Sequence, residues 1–304
     1  MIKPYLVFLL GGLVTLFVVS LLLINFDTPI DNSKLPTVIT TIFPLTDITK
    51  QIAGTSANVV QLIPSGSSPH SFTLSPQQIS SLSKADIIFA IGHGLDDSAV
   101  ASAQKVKDIP ITLVDKDIQL NKFINPDAND HNTSALNIDP HYWLSVPNAA
   151  IIAKTITDRL IELDPSNTTT YNDNLALYEG QLEYLERELQ QAAFDAEQKS
   201  FIAIHDAWSY FADQYKLNLV AVYEPSEGKQ PSIKDIQRLG QIISGNKITT
   251  FFTEPQKQSD AGARLMREEF KLDIGLLDPI GGVLEGDSYA ELMQRNIQAI
   301  NKTN

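Results

Sequence analysis

No cysteine occurs among the 304 residues. That absence excludes disulfide scaffolds, cysteine zinc fingers, iron–sulfur ligation, thiol nucleophiles and lipid attachment through cysteine. Basic residues are also in short supply: 23 Lys+Arg stand against 36 Asp+Glu, a formal charge of −13. The acidic excess is spread along the chain, so it repels phosphate backbones and leaves no basic footprint for nucleic acid. Histidine is scarce too, at five residues. Charged residues make up only 19% against 43% apolar, which argues against intrinsic disorder except near the ends and supplies material for buried cores. The length fits two ordinary domains better than one.

Charge is missing altogether from one long stretch. Residues 4–26 carry none, with Lys3 before them and Asp27 and Asp31 after, and such a run is long enough to cross a bilayer. A cleavable signal has an apolar region of about 7–15 residues ending at small residues. Here the run continues through Leu21, Leu22, Leu23 and Ile24, which favours an uncleaved anchor over a signal. The charge asymmetry puts the remainder of the chain across the membrane, in an extracytoplasmic compartment, periplasmic or cell-surface.

Beyond a polar spacer, β-rich apolar runs occupy residues 37–43, 58–63, 86–91 and 111–115, separated by stretches suited to helices or loops. The same alternation returns at 201–204, 219–223, 249–253 and 274–277. Strand alternating with helix predicts parallel sheets covered on both faces. Between the two sets, Asp164-Pro165 forms a helix start. Tyr171, Leu175, Tyr178, Leu182, Leu185 and Leu189 then recur at helical spacing. The expected architecture is α/β: an N-terminal membrane segment and spacer over 1–35, an α/β lobe over 36–163, one long linking helix over 164–194, and a second α/β lobe over 195–304. A continuous helix lacks a loop hinge and should limit how far the lobes swing apart.

The histidines divide by surroundings. His70 lies in the turn-rich string Pro64-Ser65-Gly66-Ser67-Ser68-Pro69-His70, and His141 in Asp139-Pro140-His141-Tyr142-Trp143-Leu144. His205 ends an apolar strand before Asp206-Ala207-Trp208, and Asp278 ends the last strand before Pro279-Ile280-Gly281-Gly282. Ligands of open parallel sheets bind beyond the carboxyl ends of strands. His70, His205 and Asp278 stand at or soon after such ends, His141 in a longer connection. Two of the four come from each lobe, so the cleft between lobes is where they could converge. Spacing alone is weak, because no short metal signature is present, and a lone histidine is more often a structural residue than a ligand.

Taken in order, the four strings resemble the zinc- and manganese-binding solute receptors of ABC importers, the cluster A-I or TroA-like family, over about Pro36 to Ile300. The resemblance implies two α/β lobes joined by a long helix, a metal held in the interlobe cleft, and delivery to a membrane permease by a monomeric receptor that is not an enzyme. Carried over residue by residue, it makes His70, His141, His205 and Asp278 the metal ligands. Family members that favour manganese or iron often have a carboxylate where this chain has His205. Three imidazoles and one carboxylate suit Zn(2+), bound at about 2.0–2.2 Å, better than Mn(2+), which prefers oxygen donors. Zinc is therefore the expected transported ligand and manganese the less expected one. A closed shell would leave no metal-bound water to activate, as carriage rather than catalysis requires. The histidine-rich acidic loop of many zinc receptors is reduced here to His131 with Asp127 and Asp130, which reads as a polar lid.

Other features have ordinary readings. His93, in Gly92-His93-Gly94, reads as a structural turn histidine near the cleft. Glu254 and Glu224 follow strands and could orient ligands by accepting an imidazole N–H, although a solvated loop carboxylate or helix cap is the plainer expectation. Ser232 with Asp235 reads as a capping box. Trp143 and Trp208 could keep the site dry or simply fill a core. The rival functions are a manganese or iron receptor, a zinc-dependent hydrolase with Asp278 or Glu254 as general base, and a surface adhesin that keeps the fold without using the cleft.

Overall fold

The computed structural model describes residues 35–123, 137–194, 200–223, 232–257, 261–284 and 286–302. The apolar run 4–26, the loop with His131, and Glu224 lie outside these residues. Among the described residues no helix is long and apolar enough to cross a membrane.

All eight expected strands form. The first lobe runs β1 (Thr37–Thr40), α1 (Phe43–Ala53), β2 (Asn58–Gln61), α2 (Pro76–Leu82), β3 (Ile87–Ala90), α3 (Asp97–Gln104), β4 (Ile111–Leu113) and α4 (Val146–Leu163). The linking helix α5 (Thr168–Phe194) follows. The second lobe then runs β5 (Ser200–Ala203), α6 (Ser209–Tyr215), β6 (Asn218–Val222), α7 (Ile233–Gly245), β7 (Thr250–Thr253), α8 (Ala261–Glu268), β8 (Asp273–Leu276) and α9 (Tyr289–Asn301). The first strand is shorter than the apolar run 37–43 implied, because Pro44 fits the first turn of a helix and Phe43 already belongs to α1. Each sheet is wholly parallel and has the same order, β2-β1-β3-β4 and β6-β5-β7-β8. In both, the order reverses direction next to the first strand, and the carboxyl ends flanking that point form a crevice.

The linking helix follows its periodicity. Tyr171, Tyr178, Leu182, Leu185 and Leu189 are buried, and the helix packs on α1, α4 and α9. Its start is displaced by one short turn: Pro165–Asn167 is 3-10, and the Asp164 carboxylate accepts from Asn167 Nδ2 at 2.6 Å and Tyr171 OH at 3.1 Å. Ser232 and Asp235 close the capping box that starts α7.

The two sheets do not have two separate cores. One apolar cluster takes in the first sheet, the linking helix and the inner face of the second lobe, including Trp143, Trp208, Phe252, Leu277 and Tyr289. A smaller cluster around Ile202, Phe251 and Met266 fills the outer face of the second sheet. Pro36–Asn304 is accordingly one compact unit. Polar bonds cross the seam as well. Trp143 Nε1 donates to the Pro279 carbonyl at 2.8 Å, Tyr289 OH to the Trp143 carbonyl at 2.7 Å, and the Tyr289 amide to Asp47 Oδ2 at 3.0 Å.

Candidate metal centre

His70 follows β2 on a 3-10 turn, Pro69–Ser71. The preceding loop is braced by Gln78 Nε2, which donates to the Leu62 carbonyl at 2.6 Å, and by Gln61 Nε2, which donates to the Ile63 carbonyl at 2.7 Å. Gly66 supplies a φ of +83° that a side chain would strain. His141 heads the 3-10 turn Tyr142–Leu144, and Tyr142 OH ties that turn to the first sheet through the Ile91 carbonyl at 2.9 Å. His205 stands two residues beyond β5, at the reversal point of the second sheet.

These three side chains, far apart in sequence, meet. Ring centroids are 5.5 Å apart for His70–His141, 5.5 Å for His70–His205 and 4.9 Å for His141–His205. One nitrogen from each lies within 4.8 Å of the other two. Nitrogens that share one zinc are at most about 4.2 Å apart, given bonds of about 2.0–2.1 Å, so a shift of under about 1 Å per ring closes them on an ion.

The ring orientations are fixed from behind. Asp139 Oδ1 accepts from His141 Nδ1 at 2.8 Å and from the His141 amide at 2.9 Å. Since a carboxylate only accepts, Nδ1 carries the proton and Nε2 keeps its lone pair. That Nε2 is buried and has no hydrogen-bond partner. Such an orphaned acceptor is costly unless something binds it. His205 repeats the arrangement, its Nδ1 lying 2.6 Å from Glu254 Oε1. Burial pushes the His141 pKa below its ordinary 6.5, with its hydrogen bond to Asp139 opposing. The ring therefore stays neutral, as a metal ligand must.

The histidines line a cavity of about 120 Å³ whose wall also includes Trp143, Glu254 and Lys257. Pockets for organic ligands are several times larger, about 300–1,000 Å³, so an ion is the ligand of matching size. Trp143 is fully buried beside His141, ring centroids 5.3 Å apart, and so helps to exclude water. Trp208 does not line the cavity and packs on Phe211.

Asp278 is not part of the three-nitrogen group. Its Oδ1 accepts from the amides of Ile280 at 3.0 Å and Gly281 at 2.9 Å, which shapes the turn that places Gly281 and Gly282 at φ +71° and +76°. Its backbone is pinned to Asn296 by a reciprocal pair of bonds at 2.9 and 2.8 Å. The following residues, Pro279 and Ile280, do line the cavity.

Glu254, at 12% side-chain exposure, is held against His205, unlike the solvated loop group or cap that is the plainer expectation from sequence. His93 is structural, as its turn implied: Nε2 is 2.7 Å from Asp115 Oδ2, and its φ is +55°. The sequence pattern assigns Asp139 no role. The available signal was a carboxylate two residues before a candidate ligand. Its Oδ2 accepts from Ser209 Oγ and its carbonyl from Tyr210 OH at 3.1 Å, so the residue that orients His141 is bonded to the other lobe.

Comparisons with known proteins identify the family and the fold. The model of the family described as zinc-uptake complex component A, periplasmic (ZnuA), matches residues 38–303. The zinc-binding lipoprotein AdcA of Streptococcus pneumoniae is 28% identical over 280 residues, 88% of this chain. The chain spans 55% of that relative's length. The manganese ABC transporter substrate-binding lipoprotein PsaA, from the same organism, is 28% identical over 274 residues, covering 86% of this chain and 87% of the relative. A crystal structure of ZnuA superposes with a TM-score of 0.76 at 27% identity, covering 88% of this chain and 99% of the other. Zinc-bound AdcA from Streptococcus pneumoniae gives 0.72 at 27% identity, covering 88% and 57%.

Proposed function

The chain belongs to the family of the periplasmic zinc-uptake complex component A, and from that premise we propose that it is an extracytoplasmic receptor that captures zinc and hands it to an ABC-type permease. The family is named for a component of an uptake complex, a binding role and not a catalytic one. The observation that carries the reading is the convergence of His70, His141 and His205, with one nitrogen each within 4.8 Å, in a cavity of about 120 Å³ between the lobes.

Three nitrogen donors favour zinc over manganese by donor preference and by intrinsic affinity order. The similarity to a manganese-binding relative makes the metal the point to test, and the imidazole of His205 is what supports zinc. Asp278 supplies the fourth ligand in this reading. With Oδ1 held by two amides, Oδ2 is the oxygen left for the ion, reached when the turn after β8 draws toward the histidines. Four protein ligands close a tetrahedral shell and leave no water to activate, which suits carriage. Glu254 is engaged with His205, which speaks against its acting as the base of a hydrolase. Residues 4–26 tether the receptor to the membrane, so that release occurs beside the permease.

Titration of the purified, metal-stripped protein with zinc and with manganese tests the proposal. The expected result is one zinc per chain, bound more tightly than manganese, with loss of that site in His70→Ala, His141→Ala and His205→Ala. Metal content unchanged in all three variants would defeat it.

A further inference from the structure

Asp139 is completely buried, and a buried carboxylate is costly unless its oxygens find donors. Oδ1 takes two from its own segment, the amide and Nδ1 of His141. Oδ2 takes its donor from the other lobe, Ser209 Oγ. The next residue, Tyr210, donates its hydroxyl to the Asp139 carbonyl at 3.1 Å and accepts the Asn121 amide at 2.7 Å. The Asp139 amide in turn donates to the Asn121 carbonyl at 2.9 Å, and Asn121 Nδ2 to Asp213 Oδ2 at 3.1 Å. The start of α6 therefore grips the chain leading into His141 through Ser209, Tyr210 and Asp213.

The same helix start is tied to a second imidazole. Ser209 opens α6 four residues after His205, and every residue from His205 to Ser209 is buried. Both ends of this stretch are fixed: the Ile204 amide donates to the Phe252 carbonyl at 2.8 Å, and the Ala212 amide to the Trp208 carbonyl at 2.8 Å. So short a stretch in a close-packed interior passes a displacement from one end to the other. His141 and His205, with ring centroids 4.9 Å apart, thus belong to one continuous connection that crosses between the lobes through Asp139. Neither Ser209 nor Tyr210 lines the cavity, so neither is a ligand.

We infer that Ser209 and Tyr210 are positioning residues: acting through Asp139, they hold the imidazoles of His141 and His205, one from each lobe, in place for an ion before it arrives. Groups ordered in advance cost less to order on binding. The inference rests on the receptor reading above, because it concerns the same site.

Ser209→Ala and Tyr210→Phe each remove one buried hydroxyl with little change of volume. Tyr171→Phe removes the hydroxyl bonded to Asp164 near the start of α5 and serves as the control for a loss of stability alone. Zinc affinity of the metal-stripped, full-length protein is measured by competition with a chelator. The expected loss is about tenfold for Ser209→Ala/Tyr210→Phe, the lower end of the range for groups that orient ligands, against less than about twofold for Tyr171→Phe. Should the double variant not fold, each single variant carries the test with a loss of about threefold. In an Asp139→Ala background Ser209 has no carboxylate left to bond, and its replacement costs less than about twofold further. Hydrogen exchange supplies the readout of position: without zinc, amides of residues 206–212 exchange faster than in the wild type relative to those of β3, and zinc restores them. Undiminished zinc affinity, an equal loss from Ser209→Ala with and without the Asp139 carboxylate, or exchange at 206–212 no faster than in the wild type overturns the inference. Failure of the wild-type protein to take up zinc overturns the receptor reading itself, whereas normal uptake with unaffected variants removes only the role of Ser209 and Tyr210.

Discussion

At the scale of single residues, the division of labour is between rings that face the cavity and carboxylates that aim them. Asp139 and Glu254 fix the protonated nitrogen of His141 and His205 and leave the lone pair on the opposite nitrogen, which binds the metal in the proposed site. Substituting an orienting partner usually costs about 10–100-fold in metal affinity. Asp139→Asn and Glu254→Gln should each fall in that range for zinc, read by chelator competition, while leaving one site per chain; loss of stoichiometry would instead make them ligands. Protonation provides a second check. Burial depresses the His141 pKa below 6.5, so beneath that pH the unfolded chain binds a proton that the folded chain resists. The corresponding stability is fully present above 6.5 and is lost as pH falls toward the folded value. Thermal melts of the metal-free protein should drop between about pH 7.5 and about pH 5.5, and His141→Asn should flatten that drop. Zinc affinity should weaken over the same direction of pH, because protons compete for the imidazole lone pairs.

At the scale of elements, the site depends on short turns that leave strand ends in fixed directions. The turn after β8 shows how little room there is. A Cβ added to Gly282 would come within 2.4 Å of Ser65 Oγ and 2.5 Å of Phe43, at a φ of +76°. Gly282→Ala combines backbone strain of about 1–3 kcal/mol with a clash against the first lobe. Its expected outcome is a lower melting temperature together with weaker zinc binding, since the loop carrying His70 and the turn carrying Asp278 are pushed apart. If binding is untouched, the two turns do not cooperate in holding the ion. The linking helix makes a different contribution, through packing. Leu185 is 3% exposed, and its replacement by alanine should cost about 2–5 kcal/mol in denaturant unfolding. Because α5 touches α1, α4 and α9, that loss should appear as one cooperative transition and not as melting of one lobe.

At the scale of the whole molecule, shared packing restrains the lobes. One apolar cluster crosses the seam, three hydrogen bonds join Trp143, Tyr289 and Asp47 across it, and Asp139 reaches Ser209 and Tyr210. A hinge needs a few residues able to absorb large backbone changes, and an uninterrupted helix from Thr168 to Phe194 offers none. Metal loading should therefore change the radius of gyration by less than about 1 Å in small-angle scattering, in contrast to the wide closure of hinged binding proteins. A larger change would show that the seam opens despite the spine.

Much of this was legible in the residues themselves. Apolar runs bounded by turn-forming residues located all eight strands, because burial on both faces of a parallel sheet leaves an unbroken apolar signature. The spacing of Tyr171, Tyr178, Leu182, Leu185 and Leu189 determined the linking helix, and the surroundings of His70, His141 and His205 separated them from His93. Tertiary structure alone decided which distant groups touch. Nothing in local pattern could tell that Glu254 would back His205 or that Asp139 would bond to the opposite lobe. These are contacts between groups up to about 70 residues apart, made by a few polar atoms, and hydrogen bonds leave no periodic trace in sequence as burial of a whole face does.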